Sequence, residues 1–280
     1  MDSTATGIAL ALLSSLTTAT AHALLKAGKD KLAVRALIGA VGTLALAPVC
    51  FLVPLPTSSL IPWLIAASAL HTTYQLVLIR AYEANDFAVA FPVARGIAPI
   101  ATAILGMALL GDQIRTGTIV GVGLVSAGIL TVAAGRTIAA SGLIAAGVAG
   151  LLTTSYTIVD AHAIRIAPSA MTFVAWFFLL DGIIMFPIFA ALRRGRVASL
   201  LRSEGRQGVT AGVISLVSFG SALIALRLAP VGIVSALRET SVVFGMLIAA
   251  IFLRESVDRL RAGAAIVIAF GAIVIVATAT

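Results

Sequence analysis

A single cysteine, Cys50, rules out an intrachain disulfide, and three scattered histidines without nearby cysteine or acidic spacing leave no metal-ligand signature. No bound metal and no cofactor are expected. Charged residues make up only 11% of the chain, too few to solvate the surface of a soluble fold. No GxxxxGK[ST] phosphate loop occurs, which excludes a nucleotide-driven motor. No serine stands in the GxSx-type setting of a rhomboid-like hydrolase, so an enzyme is not expected. No polar linker divides the 280 residues, and the chain reads as one membrane domain.

What is abundant is apolar side chain, 60% of residues, gathered in runs each about the ~20 residues needed to cross a bilayer. The expected spans are Gly7 to Leu25, Ala36 to Val53, Ile61 to Ile79, Phe87 to Leu110, Thr116 to Ala134, Ile138 to Val159, Met171 to Leu192, Gly208 to Leu226, Val231 to Leu253 and Ala262 to Ala277. Lipid offers backbone groups no hydrogen-bond partner, and these runs are continuous instead of alternating, so they predict helices and not a barrel. The first run lacks the basic start and small-residue cleavage site of a secretory signal and reads as a retained helix. Pro54, Pro56 and Pro62 frame one turn, Gly111-Asp112 another, and Arg193-Arg194-Gly195-Arg196 opens what reads as the longest loop.

The chain repeats itself. A shift from Arg95 to Arg238 also brings Leu110 onto Leu253, Asp112 onto Glu255, Gly128 onto Gly271 and Ala134 onto Ala277. Earlier in each half, Leu16-Thr17-Thr18 aligns with Leu152-Thr153-Thr154. Five helices per half is an odd number, so residues 1–136 and 137–280 are expected to form two inverted five-helix repeats.

A net charge of +8 does not point to nucleic acid, because the basic residues lie in short segments between apolar runs. Lys26, Lys29, Lys31, Arg35, Arg80, Arg136, Arg193, Arg194, Arg196, Arg202, Arg206, Arg254, Arg259 and Arg261 fall after odd-numbered spans, whereas the other connections hold only Arg115, Arg165 and Arg227. The positive-inside rule makes the first set cytosolic and puts both termini outside.

The strings AHALLKAGKD, AVAFPVARGIAP, TTSYTIVDAH and LAPVGIVSALRETSVVFGMLIAAIFLRE resemble the drug/metabolite transporter superfamily, specifically its ten-helix EamA-type exporters, which include YddG-like amino-acid exporters. His22-Ala23 stands where close relatives tend to carry Trp-Asn. The resemblance implies a multi-pass protein of the bacterial inner membrane with a central cavity lined by helices one, three, four, six, eight and nine. It also implies alternating access by rocking halves, amino-acid export, and no requirement for oligomers. Other solutes it leaves open are phosphonates, nucleosides and cationic drugs. A channel would call for a ring of like residues, and the inverted repeat favours a carrier.

Charges at membrane depth are costly unless paired or hydrated, which singles out Arg95, Arg238, Glu239 and Asp181. Arg95 and Arg238 read as substrate-binding residues, with a structural ion pair as the alternative; Glu239 could pair with Arg95 across the repeat. Asp181, on helix seven, reads as packing. His71, Tyr74, Gln75, Leu78 and Tyr82 share one face of helix three, a polar and aromatic stripe suited to a cavity. Helix one offers Ser15, Thr18 and His22, and helix six offers Thr153, Tyr156 and Asp160, of which Thr18, His22 and Tyr156 are taken as substrate contacts. Ser218 and Phe219 on helix eight and Ser235 on helix nine join them. Pro92 and Pro99 bracket Arg95 and predict a bend there, and Gly117, Gly121 and Gly128 predict close helix packing.

Overall fold

The computed structural model describes residues 3–83, 87–133, 140–252 and 259–279. The helices are α1 (Ser3–Ala27), α2 (Lys31–Leu46), α3 (Ile61–Glu83), α4 (Phe87–Leu110), α5 (Thr116–Ala133), α6 (Ala140–Ile166), α7 (Ala170–Leu192), α8 (Val197–Leu228), α9 (Val231–Glu239), α10 (Ser241–Phe252) and α11 (Arg259–Ala279). No strand occurs among the described residues. Leu44, Phe51, Leu151, Ile266, Phe270 and Ile273 are exposed on the outside of the bundle, an apolar belt that water would not tolerate and lipid accepts. The protein is an all-helical, polytopic membrane protein with ten spans, α9 and α10 together forming the ninth.

Three expectations change. The ninth span is not one helix: Thr240 donates its hydroxyl to the Leu237 carbonyl at 2.6 Å, and its N–H also closes a tight turn onto Leu237. Local side-chain bonding thus competes with the helical ladder and starts a new helix at Ser241. The long loop after helix seven shrinks to Arg193–Arg196, where Gly195 turns the chain at φ 74°, and α8 begins at once. Its first turns carry Arg202, Glu204 and Arg206, good helix formers that a hydropathy window does not count as span. The second span likewise begins earlier, at Lys31, and stops at Pro48, which starts a short 3-10 turn.

Helix pairing follows close approach. Gly117, Gly121 and Gly128 of α5 sit against Thr278, Ile275 and Ile268 of α11, where an added Cβ would meet heavy atoms at 2.6–2.7 Å. Gly39 of α2 and Gly182 of α7 are in backbone contact, and Gly208 and Gly212 of α8 lie against Leu37 and Val41 of α2. Such small-residue seams supply the dispersion contacts that hold helices together in lipid. The main pairs are α5 with α11, α1 with α8, α2 with α7 and with α8, α4 with α6 and with α5, and α3 with α6.

At one end of the bundle gather Ser3, the 47–60 connection, Asp112, Ala167, Ala229 and Ala279. This termini-bearing end is filled by Ile8, Leu60, Leu64, Ile164, Leu226, Val231 and Ile233, all buried. Asp112 accepts two hydrogen bonds from Arg165, at 2.6 and 3.3 Å, and one from the Val231 N–H at 2.6 Å, capping α9. Arg165 and Arg227, expected as loop charges, belong to the last turns of α6 and α8; Arg165 also binds the Leu226 and Ala229 carbonyls and Arg227 those of Ile164 and Ala167.

At the opposite end, Asp30 caps α2 through the Ala33 amide at 3.0 Å and accepts 2.7 Å from Arg193 Nε at the end of α7. Burial pushes the Asp30 carboxyl up, but the Arg193 and Ala33 hydrogen bonds and the Arg193 charge outweigh it and hold the group below its ordinary value. A depressed carboxyl stabilises the fold above its unfolded pKa, and the benefit is lost as pH falls through the folded value. Asp30→Asn keeps the cap and removes the ion pair, and is therefore expected to cost about 0.5–1 kcal/mol near neutrality. In melting curves of detergent-solubilised protein, the gap to wild type should close below about pH 4; a gap that persists there would count against the ion pair.

Candidate functional site

From the middle of the bundle toward the opposite end runs a partly open cavity of about 110 Å³. Helix direction decides what lines it. The last turns of α1 bring Thr18 and His22, the first turns of α2 bring Arg35 and Ile38, and mid-span α3 brings His71, Tyr74 and Gln75. Arg95 of α4, Tyr156 of α6, Ser218 and Phe219 of α8 and Arg238 at the end of α9 join them.

Of the expected substrate contacts, Thr18, His22, His71, Tyr74, Gln75, Arg95, Tyr156, Ser218 and Arg238 thus come together. Glu239 is buried behind them, with Oε2 3.4 Å from Arg95 Nη1, which also donates to the Ser241 hydroxyl at 3.2 Å. Ser235 is buried on α9 and does not line the cavity, because α9 turns that face into the packing against its neighbours. Leu78 packs against Tyr74 and Tyr156, while the Tyr82 side chain lies outside the described residues.

Two residues were misjudged from sequence. Arg35 is not a loop charge; α2 starts at Lys31 and carries it inward, where it is 5% exposed. Its Nη2 donates to Asp181 Oδ1 at 2.6 Å, so Asp181 is a cavity-lining partner and not mere packing. The lining accordingly includes α2 and α7, with Phe177 and Phe178 beside Asp181. The available signal was Asp181 itself, a carboxylate inside a strongly apolar helix that requires a cation.

Hydroxyls stitch the wall. Thr18 and Ser218 share a hydrogen bond of 2.6 Å, Ser218 also donates to the Ser14 carbonyl, and Ser15 meets Thr240 at 2.7 Å where the ninth span breaks. A cage of rings faces the cavity. His71 lies 4.1 Å from Tyr156 and 4.9 Å from both Phe177 and Phe219, and Tyr74 packs edge-on to Tyr156 at 5.3 Å. The Arg238 guanidinium sits 5.6 Å from the Phe219 ring centre, a cation–π distance. His71 Nε2 hydrogen-bonds Asp160 Oδ2 at 2.8 Å.

This geometry defines a class: a multi-pass helical membrane protein built around a buried chamber that mixes fixed charge, hydroxyls and aromatic faces. Residues 140–277 match the EamA-like transporter family, whose members are membrane transporters of small solutes and not enzymes. None of the curated proteins compared matches the chain by sequence. A solved crystal structure superposes with a TM-score of 0.73 over 99% of this chain and 98% of its own, and at 20% identity that likeness shows a shared fold.

Proposed function

We propose that the protein is a secondary transporter that exports amino acids, aromatic ones included, across a bacterial inner membrane by alternating access. The observation that carries this reading is the arrangement of Arg95, Arg238 and Glu239 at the cavity, at membrane depth. Two guanidinium groups against one carboxylate leave a positive excess beside an aromatic cage. An α-amino acid meets both: its carboxylate suits a guanidinium fork and its side chain the rings.

The helix pairs support two related, inverted halves, 1–136 and 137–280. Advancing every label by five spans turns α1–α8 into α6–α3, and it carries α2–α7, α4–α9 and α5–α11 onto themselves. With the termini outside, as the loop charges have it, the filled end is periplasmic and the cavity faces the cytosol, the side from which an exporter loads.

Counterflow into proteoliposomes tests the function. Vesicles preloaded with unlabelled amino acid should accumulate the labelled one transiently and unchanged. A signal with nucleosides, phosphonates or cationic drugs and with none of the amino acids would overturn the reading, and chemically altered product would indicate an enzyme.

A further inference from the structure

Among the described residues, Asp181, Glu239 and Asp160 are the buried acids in or just behind the cavity wall, and the first two have a permanently charged partner. Asp181 has Arg35 at 2.6 Å, and Glu239 has Arg95 at 3.4 Å. Asp160, 1% exposed, has His71 at 2.8 Å, a partner that is itself titratable, and its Oδ1 makes no hydrogen bond. An uncompensated carboxylate at this depth is expensive, so Asp160 calls for positive charge beside it.

The surroundings fit a cation. The ring centres of Tyr156, Phe177 and Phe219 lie within 4.9 Å of that of His71, and aromatic rings this close favour a cation, whether imidazolium or ammonium. His71 lines the cavity while Asp160 lies behind it. If the pair is protonated, both imidazole nitrogens are donors and repel an ammonium group. If it is not, the Nε2–H stays on Asp160 and the other nitrogen is an acceptor.

The other groups facing the pair have fixed roles. Arg35 and Asp181 pair with each other from α2 and α7, and Arg95 of α4 and Arg238 of α9 flank Glu239. Tyr74 and Tyr156 are neutral phenols on the two helices that carry the pair, and His22 faces from α1. His162, two residues from Asp160, turns instead to Trp63 at 4.4 Å.

We infer that the His71–Asp160 pair is where a proton and the ammonium group of the substrate exclude one another, which makes the carrier a proton antiporter. The inference rests on the amino-acid reading above. The substrate carboxylate sits on the Arg95–Arg238 side and its ammonium enters the cage, where it donates a hydrogen bond to the free imidazole nitrogen of His71 and has the Asp160 charge as counter-ion. One proton leaves the pair to solvent as one ammonium binds. Release of the substrate on the far side returns the pair to a proton from that side, so charge at the pair balances in both states.

Proton release on binding tests this in purified, detergent-solubilised protein under weak buffering between about pH 5 and 8. Phenylalanine is the probe, and 3-phenylpropionate is its counterpart without the ammonium group. Wild type should release about one proton per bound phenylalanine where the pair is protonated, and its affinity should fall about tenfold per unit of acidification in that range. 3-Phenylpropionate should bind without release. Asp160→Asn and His71→Gln should bind phenylalanine more weakly and release no proton.

Phenylalanine binding without release by wild type at every pH would overturn the inference and spare the amino-acid reading. Release that persists in Asp160→Asn but is lost in Glu239→Gln would overturn it by moving the proton site to Glu239. Failure of wild type to bind any amino acid would overturn both. Because the pH and analogue measurements use wild type alone, a variant that fails to fold does not protect the inference.

Discussion

Replacing Arg95 by lysine should weaken amino-acid transport about ten- to hundredfold, although the charge is kept. The ammonium of lysine is a point charge, whereas the guanidinium presents a planar fork that grips a carboxylate with two parallel bonds. Loss of a charge-assisted hydrogen bond in a dry site is worth about 1.5–3 kcal/mol, and each 1.4 kcal/mol is a factor of ten. Arg95 Nη1 is held by Ser241 and Glu239, so the fork is aimed before substrate arrives. Initial counterflow rates of an amino acid and of its amide separate this role from a structural one. Wild type should disfavour the amide, and in Arg95→Gln the deficit should shrink. Equal transport of acid and amide by wild type would return Arg95 to a structural role.

Breaking the Arg35–Asp181 pair should be the most damaging change to stability. Both side chains are 6% exposed, and removing either leaves the other as an uncompensated buried charge, a cost of about 3–5 kcal/mol. Arg35→Met and Asp181→Leu should each lower the melting temperature in detergent sharply. The double variant Arg35→Met with Asp181→Leu should recover most of the loss, because an apolar pair of similar volume carries no desolvation penalty. Equal losses that simply add in the double variant would show that the two charges are not coupled.

How much of this could be read from the chain depends on which force placed each residue. Spans driven by hydropathy were legible, because a bilayer allows little besides helices of about 20 residues. Arg95, Tyr74, Gln75 and Tyr156 were legible as lining because polar groups inside apolar runs must face protein or water. Arg35 was not, since a charge near a span end looks the same whether it snorkels out or turns in; only the packing of α2 on α7 decides. Ser235 erred in the other direction, as a small hydroxyl can satisfy itself locally and says little about which way it faces. The break at Thr240 escaped notice because β-branched and serine residues shift a helix ladder without changing hydropathy. The pairing of His71 with Asp160 links positions far apart in sequence, and no spacing rule joins them.

The helix pairs also bear on how the protein is made. α1, α2, α3 and α4 each find a main packing partner in α6, α7 or α8, and α5 finds its own in α11, which is synthesised after all ten helices before it. The first five helices therefore enter the membrane before most of the surfaces they need exist. Their glycine seams and inward charges, Arg35 and Arg95 among them, wait unsatisfied until the later helices arrive. Insertion and packing of this protein are thus separated in time, and slow elongation between α5 and α11 prolongs the exposure of the early seams.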